Sequence, residues 1–158
     1  MSDDGGGPHA PRTGVRAGAF EFVDGPTGDL SFVARAPTLE GLFAAAAEAF
    51  LAVTLEDPSA LETRERHELA LEEPDLELLL LRFVNELVFL RDASELLLRP
   101  QRVHVTQDGV ARLAATLAGE RIDRGRHALR SDVKAATAHA LRVAETAGGW
   151  EARLTLDV

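Results

Sequence analysis

The chain has 158 residues, is 46% hydrophobic, contains no cysteine and carries 26 acidic against 17 basic residues, for a formal net charge of −9. That content suits one domain with a real core, since a chain of this size buries roughly 70% of its unfolded surface, and the missing thiols exclude disulfides, iron–sulfur clusters and thiolate zinc sites. Any metal must be held by oxygen or imidazole. The acidic balance is a poor match to a phosphate backbone, which is bound by counterion release, so no direct nucleic-acid binding is expected; the same charge favours a basic partner protein and equally serves solubility.

Met1 to Ala17 holds glycine and proline without apolar periodicity and reads as a disordered N-terminal arm, with the domain occupying 18–158. The arm lacks the basic and apolar regions of a signal peptide, and no apolar run reaches the ~20 residues that span a bilayer, so a cytoplasmic protein without membrane contact is expected. Phe20 and Phe22, then Leu30, Phe32 and Ala34, alternate around Asp24-Gly25-Pro26-Thr27-Gly28-Asp29, which predicts two short strands joined by a turn-rich loop. Thr38 is placed to cap a helix from Leu39 to about Val53. Arg64 to Glu72 alternates as a third strand.

A second helix follows, with Pro74 suited to its first turn, Asp75 and Glu77 at the positive dipole end and Arg91 at the negative end. A stripe through Leu76, Leu79, Leu80, Phe83, Leu87 and Leu90 can face a sheet, while Leu78, Leu81 and Phe89 spill outside it and need a second cover or a partner. Asp108-Gly109 between alternating runs predicts a hairpin. A polar loop is expected from Gly119 to Ser131, followed by a strand from Val133 to Val143 with two mostly apolar faces, the pattern of a central strand. Past Gly148-Gly149, Trp150, Ala152, Leu154 and Leu156 predict a buried face, and Glu151, Arg153, Thr155 and Asp157 a wet one. The class is α+β: a single domain with a mixed or largely antiparallel sheet of about seven strands and two α-helices packed on it. Strand order and oligomeric state are left open.

Nucleophile-elbow, Walker A, dinucleotide and H-E-x-x-H motifs are missing. Asp157-Val158 gathers a side-chain carboxylate, a carbonyl and the terminal carboxylate, all hard oxygen donors, and Asp29 also stands where a strand meets a loop. The plain alternatives are a turn aspartate bonding its own backbone and a solvated terminal residue. His139 shares an alternating set with Val133 and Leu141, so a buried, hydrogen-bonded imidazole is expected there. His127, close to Asp123 and Arg126, reads equally as a loop anchor or a site residue. Lys134, flanked by alanine, either snorkels or pairs with a carboxylate, for which Asp29 and Asp157 are candidates.

Taken in order, Phe20 to Asp29 (FEFVDGPTGD), Thr38 to Phe50 (TLEGLFAAAAEAF), Leu79 to Leu90 (LLLRFVNELVFL), Gly119 to His127 (GERIDRGRH), Asp132 to His139 (DVKAATAH) and the final L-D-V resemble the archease family. The resemblance implies a small α+β protein that is itself no enzyme but assists an RtcB-type RNA-splicing ligase, a GTP-dependent enzyme of tRNA splicing and RNA repair, by promoting its guanylylation and multiple turnover. It further implies a metal site at Asp29, Asp157 and the Val158 carbonyl, and a functional lysine at Lys134, with His127 a further candidate at the partner or nucleotide site. Such donors suit Ca²⁺ first, with Mg²⁺ or Mn²⁺ as alternatives. One departure stands out: where the family has His-Thr-Ala-Asp, this chain has Pro26-Thr27-Gly28-Asp29, with one extra residue before it. Two competing readings are a chaperone-like protein-binding module using the Leu-rich helix and a small metal-dependent hydrolase, the latter disfavoured because no residue is set up as nucleophile or base.

Overall fold

The computed structural model describes residues 16–25 and 28–158, so the expected arm lies outside it apart from 16 and 17, as do His9 and the Pro26-Thr27 pair. The element order is β1 (Ala19–Val23), β2 (Asp29–Ala36), α1 (Leu39–Thr54), a single 3₁₀ turn (Pro58–Ala60), β3 (Glu65–Glu73), α2 (Leu76–Ser94), β4 (Leu96–Asp108), β5 (Val110–Arg121), β6 (Ala135–Thr146) and β7 (Gly149–Asp157). The class is α+β, as expected. The strands, however, divide into two sheets, in the orders β1-β2-β7-β6 and β3-β5-β4, with every pairing antiparallel.

The helices explain the division. α1 is buried nearly all round, through Gly41–Ala47, Ala49–Leu51, Val53 and Thr54, and a helix apolar on all sides needs cover on more than one side. It touches β1, β2 and β7 of the first sheet and β4 of the second, while α2 touches β6 of the first and β3, β4 and β5 of the second. Ala44, Ala45, Ala46, Ala47 and Ala49 let the strands approach α1 closely. Arg99 of β4 grips Glu48 of α1 with two bonds of 2.8 and 3.0 Å, and Glu40 of α1 accepts the edge N–H of Val105. Thr38 caps α1 by accepting from the Gly41 N–H at 3.0 Å. In α2 the cap is Asp75, which accepts from the Leu78 N–H at 2.9 Å, so Pro74 stands just before the cap and not in the first turn. The expected stripe of α2 is buried and is widened by Val84 and Val88; of the three spillover residues Leu81 is half-buried, while Leu78 and Phe89 remain 39% and 59% exposed.

Three strand expectations are corrected. β5 runs on through Gly119, Glu120 and Arg121, so the polar loop is shorter than the sequence suggests; Gly119 lies so near β4 that a Cβ there would stand 1.8 Å from the Leu97 carbonyl oxygen. β6 is an edge strand, not a central one, because β7 pairs with both β2 and β6. Its apolar character reflects α2, which covers its free edge: Asn85 bonds both backbone groups of Ala136, and Glu77 accepts the Val143 N–H at 3.2 Å. Finally, β6 bulges where residues 138–141 stand against Leu154 alone, with Ala140 at φ 55°, and this bulge leaves His139 exposed instead of in the core.

Candidate functional site

β2 and β7 pair in a register that sets Asp29 directly opposite Asp157, Ser31 opposite Thr155, Val33 opposite Arg153 and Arg35 opposite Glu151. Residues directly opposed in an antiparallel pair share a face, with Cβ atoms about 4.5–5.5 Å apart. Two carboxylates far apart in sequence thus become neighbours, both half-buried. Among the described residues, no ion pair or side-chain hydrogen bond occupies either one. Like charges so placed oppose strand pairing, and a divalent cation or an ammonium would relieve them. On the other side of β7, Asp157 pairs with Ala135, and its carbonyl accepts the Lys134 N–H at 2.7 Å. Lys134 is exposed, and Val158 follows with 38% exposure. Asp29, Asp157, Val158 and Lys134 are therefore gathered at one end of the first sheet.

The face next to the acidic pair is built to hold the approach to Asp29. Ser31 and Thr155, the latter expected on a wet face, are fully buried and share a 2.7 Å hydrogen bond. Because Thr155 Oγ1 donates to the His139 carbonyl at 3.1 Å, Ser31 must be the donor to Thr155, and the β6 bulge closes over the pair. From the other side, Arg153 donates to the Asp24 carbonyl at 3.0 Å, and Gly25 packs so closely that an added Cβ would come within 2.7 Å of Ser31 Oγ. Gly28 has φ +86°, a left-handed conformation that favours glycine and suits its place before Asp29, where the family motif carries alanine.

His127 is engaged elsewhere, against the end of β5. Its ring is buried, Nδ1 accepts the Asp123 N–H at 2.8 Å, and Nε2 lies 3.0 Å from Glu120 Oε2. An accepting Nδ1 carries no proton, so the ring is the neutral Nε2–H tautomer donating to Glu120. This is the arrangement of a loop anchor. Glu120, buried and absent from the sequence-derived candidates, is its counterpart: it also accepts the Glu62 N–H at 2.8 Å and pairs with Arg126. Burial alone would raise the Glu120 pKa, but the Glu62 N–H, the His127 ring and the Arg126 charge outweigh it and hold the carboxyl below its ordinary value. Beyond this anchor the loop is tied to the end of α1 through Glu56 N–H to Ala128 O and Arg130 N–H to Thr54 O, and it delivers the chain to Lys134. The alternation of β5 does not mark Glu120, which falls in step with Arg112, Ala114 and Thr116 and not with the buried Ala111, Leu113, Ala115 and Leu117; only its place in the Gly119 to His127 segment pointed to it.

The metal implied by the resemblance can be tested against these residues. The opposed carboxylates and a backbone carbonyl are hard oxygen donors and fit Ca²⁺, Mg²⁺ or Mn²⁺, whereas no group of three or more His, Cys, Asp or Glu is placed to form a cage among the described residues. An ion there would keep several positions for water or a partner.

Residues 20–158 match the model of the Archease protein family (MTH1598/TM1083). The chain is similar to a protein named archease from Methanosarcina barkeri, at 31% identity over 88% of this chain and 95% of that one, and to one from Thermococcus gammatolerans, at 36% over 84% and 94%. It is also similar to the solution structure of Methanobacterium thermoautotrophicum protein 1598, with TM-score 0.74, 32% identity and coverage of 89% and 99%. The crystal structure of a Thermotoga maritima archease described as a possible chaperone shares the fold, at TM-score 0.51 and 15% identity over 86% and 98%. Since the family model spans almost all of the described residues and the relatives align over nearly their full length, this chain belongs to the archease family.

Proposed function

We propose that this protein is a non-catalytic accessory factor of an RtcB-type, GTP-dependent RNA ligase, acting at an end of the first sheet that holds a divalent cation. The observation that carries the reading is the register of β2 on β7, which places Asp29 and Asp157 face to face, with the Lys134 N–H bonded to the Asp157 carbonyl. Asp29, Asp157 and the Val158 carbonyl would hold the ion, which when bound supplies a positive charge with open positions for phosphate or carboxylate oxygen. Lys134 adds a mobile cation beside it, suited to a nucleotide phosphate in the ligase. His127 contributes at second hand, by fixing the loop that leads to Lys134. The open coordination suits an ion shared with a partner better than a stored structural one.

Multiple-turnover RNA ligation by the RtcB-type ligase of the same source, with GTP and Mn²⁺, tests this. The parent protein is expected to stimulate turnover, and Asp29→Ala and Asp157→Ala to lose that stimulation while remaining folded. Stimulation that survives both changes would remove the aspartates from the reading. A chaperone-like second reading is favoured by the exposed Phe89 and Leu78 on α2. It makes the opposite forecast, that Phe89→Ser and Leu78→Ser weaken partner binding more than the aspartate changes do.

A further inference from the structure

Besides the ladder bonds that pair Ala135 with β7, four backbone groups within the segment Val133 to Ala136 are taken from outside it, three of them by one helix. Asn85 of α2 donates Nδ2 to the Ala136 carbonyl at 3.1 Å and accepts the Ala136 N–H on Oδ1 at 2.8 Å. Arg91 of α2 donates Nη2 to the Val133 carbonyl and pairs with Asp132 at 3.1 Å. Between these anchors the Lys134 N–H is bonded to the Asp157 carbonyl. The spacing matches: six residues of helix rise about 9 Å, and three residues of extended chain span about 10 Å. Arg91 is held there at a cost. It is 7% exposed, lies over the Phe50 ring, and its Nη1 finds no hydrogen-bond partner. A buried guanidinium with an unmet donor is costly; Asp92, bonded through Nε and Nη2 at 3.0 and 2.7 Å, offsets part of that cost, and the contact with Val133 turns the remaining reach of Nη2 onto the segment.

We propose that α2 acts as a splint for the candidate site: Asn85 and Arg91 hold the Val133–Ala136 segment and so fix Lys134 beside the Asp29–Asp157 pair. Both are positioning residues; neither is placed against those two carboxylates. With its backbone fixed, only the Lys134 side chain has to be ordered when a ligand arrives, which lowers the entropic cost of using it. The importance of Lys134 rests on the accessory reading above, whereas the splint itself is a statement about the folded chain. Glu77 provides the internal control, because it covers the β6 edge at Val143, well away from Lys134.

Amide hydrogen exchange of the full chain tests the splint, with the Leu154 amide in buried β7 as reference. In Asn85→Ala and Arg91→Met, Lys134 should exchange about tenfold faster while Leu154 keeps the parent rate; Arg91→Lys, which can still donate to the Val133 carbonyl, should restore the protection, and Glu77→Ala should leave Lys134 unchanged. Ligase stimulation should follow the same order. Unchanged exchange at Lys134 in Asn85→Ala overturns the splint, and so does an equal effect from Glu77→Ala, which would reduce it to general edge cover. Should Arg91→Met unfold, Asn85→Ala, at a half-buried position, decides alone. Failure of the accessory reading looks different: the parent protein leaves the ligase unstimulated while the exchange pattern still reports the splint.

Discussion

Asp29 and Asp157 repel in their cross-strand pair, so each has a measurable effect before any partner is added. Asp157→Asn removes the repulsion and should raise the melting temperature in a chelator by about 1–3 °C. Millimolar Ca²⁺ or Mn²⁺ should then raise it for the parent and not for the variant, since only a folded state that binds the ion gains from it. Equal shifts for both would place the ion elsewhere. Glu120 acts in the opposite sense, because its charge is wanted by its surroundings. Its folded-state pKa lies below the ordinary 4.5, so the stability it contributes is fully present above that value and is lost as pH falls through the folded-state value. Glu120→Gln should therefore cost about 1–3 kcal/mol near neutral pH by urea titration, and the difference from the parent should shrink once pH drops below 4.5. A difference that stayed constant into acid would mean that the Glu120 charge contributes nothing.

The elements that hold the site are bound by backbone closeness as much as by apolar area. Gly119 is the sharpest case, with the Leu97 carbonyl occupying the place of a side chain. Gly119→Ala forces β4 and β5 apart next to Glu120 and should cost about 3 kcal/mol in a urea titration; a cost within experimental error would mean that the two strands can part without loss. Similar closeness at Gly25 fixes the approach to Asp29 over Ser31. Most element boundaries could be read from the chain, because periodicity and caps are local: Thr38 caps α1, and Asp108-Gly109 turns a hairpin, with Gly109 at φ +77°; the start of α2 reads as Pro74, whereas its cap is Asp75. The misreadings arose where a distant element changed the rule. β6 looked central because α2 supplies the cover that a flanking strand would have supplied, and Thr155 looked wet because the β6 bulge closes over it.

At the scale of the whole molecule, two sheets share two helices, so neither sheet has a core of its own. Phe32, Leu154 and Leu156 of the first sheet and Leu97, Leu113 and Leu117 of the second belong to one buried cluster with Phe43, Phe50 and Phe83 of the helices. No helix among the described residues is long and apolar enough to cross a membrane. The amino-acid sequence by itself determined the α+β class, the Thr38 cap, the hairpin turn and the six motifs that mark the family, since each depends on residues near one another in the chain. Only the tertiary structure decided that the strands form two sheets, that β6 lies at an edge and that His127 is bound to Glu120. It alone set Asp29 against Asp157. Strand register is a long-range choice, fixed by which apolar faces can be buried together, and a shift by one residue would have sent those two carboxylates to opposite faces.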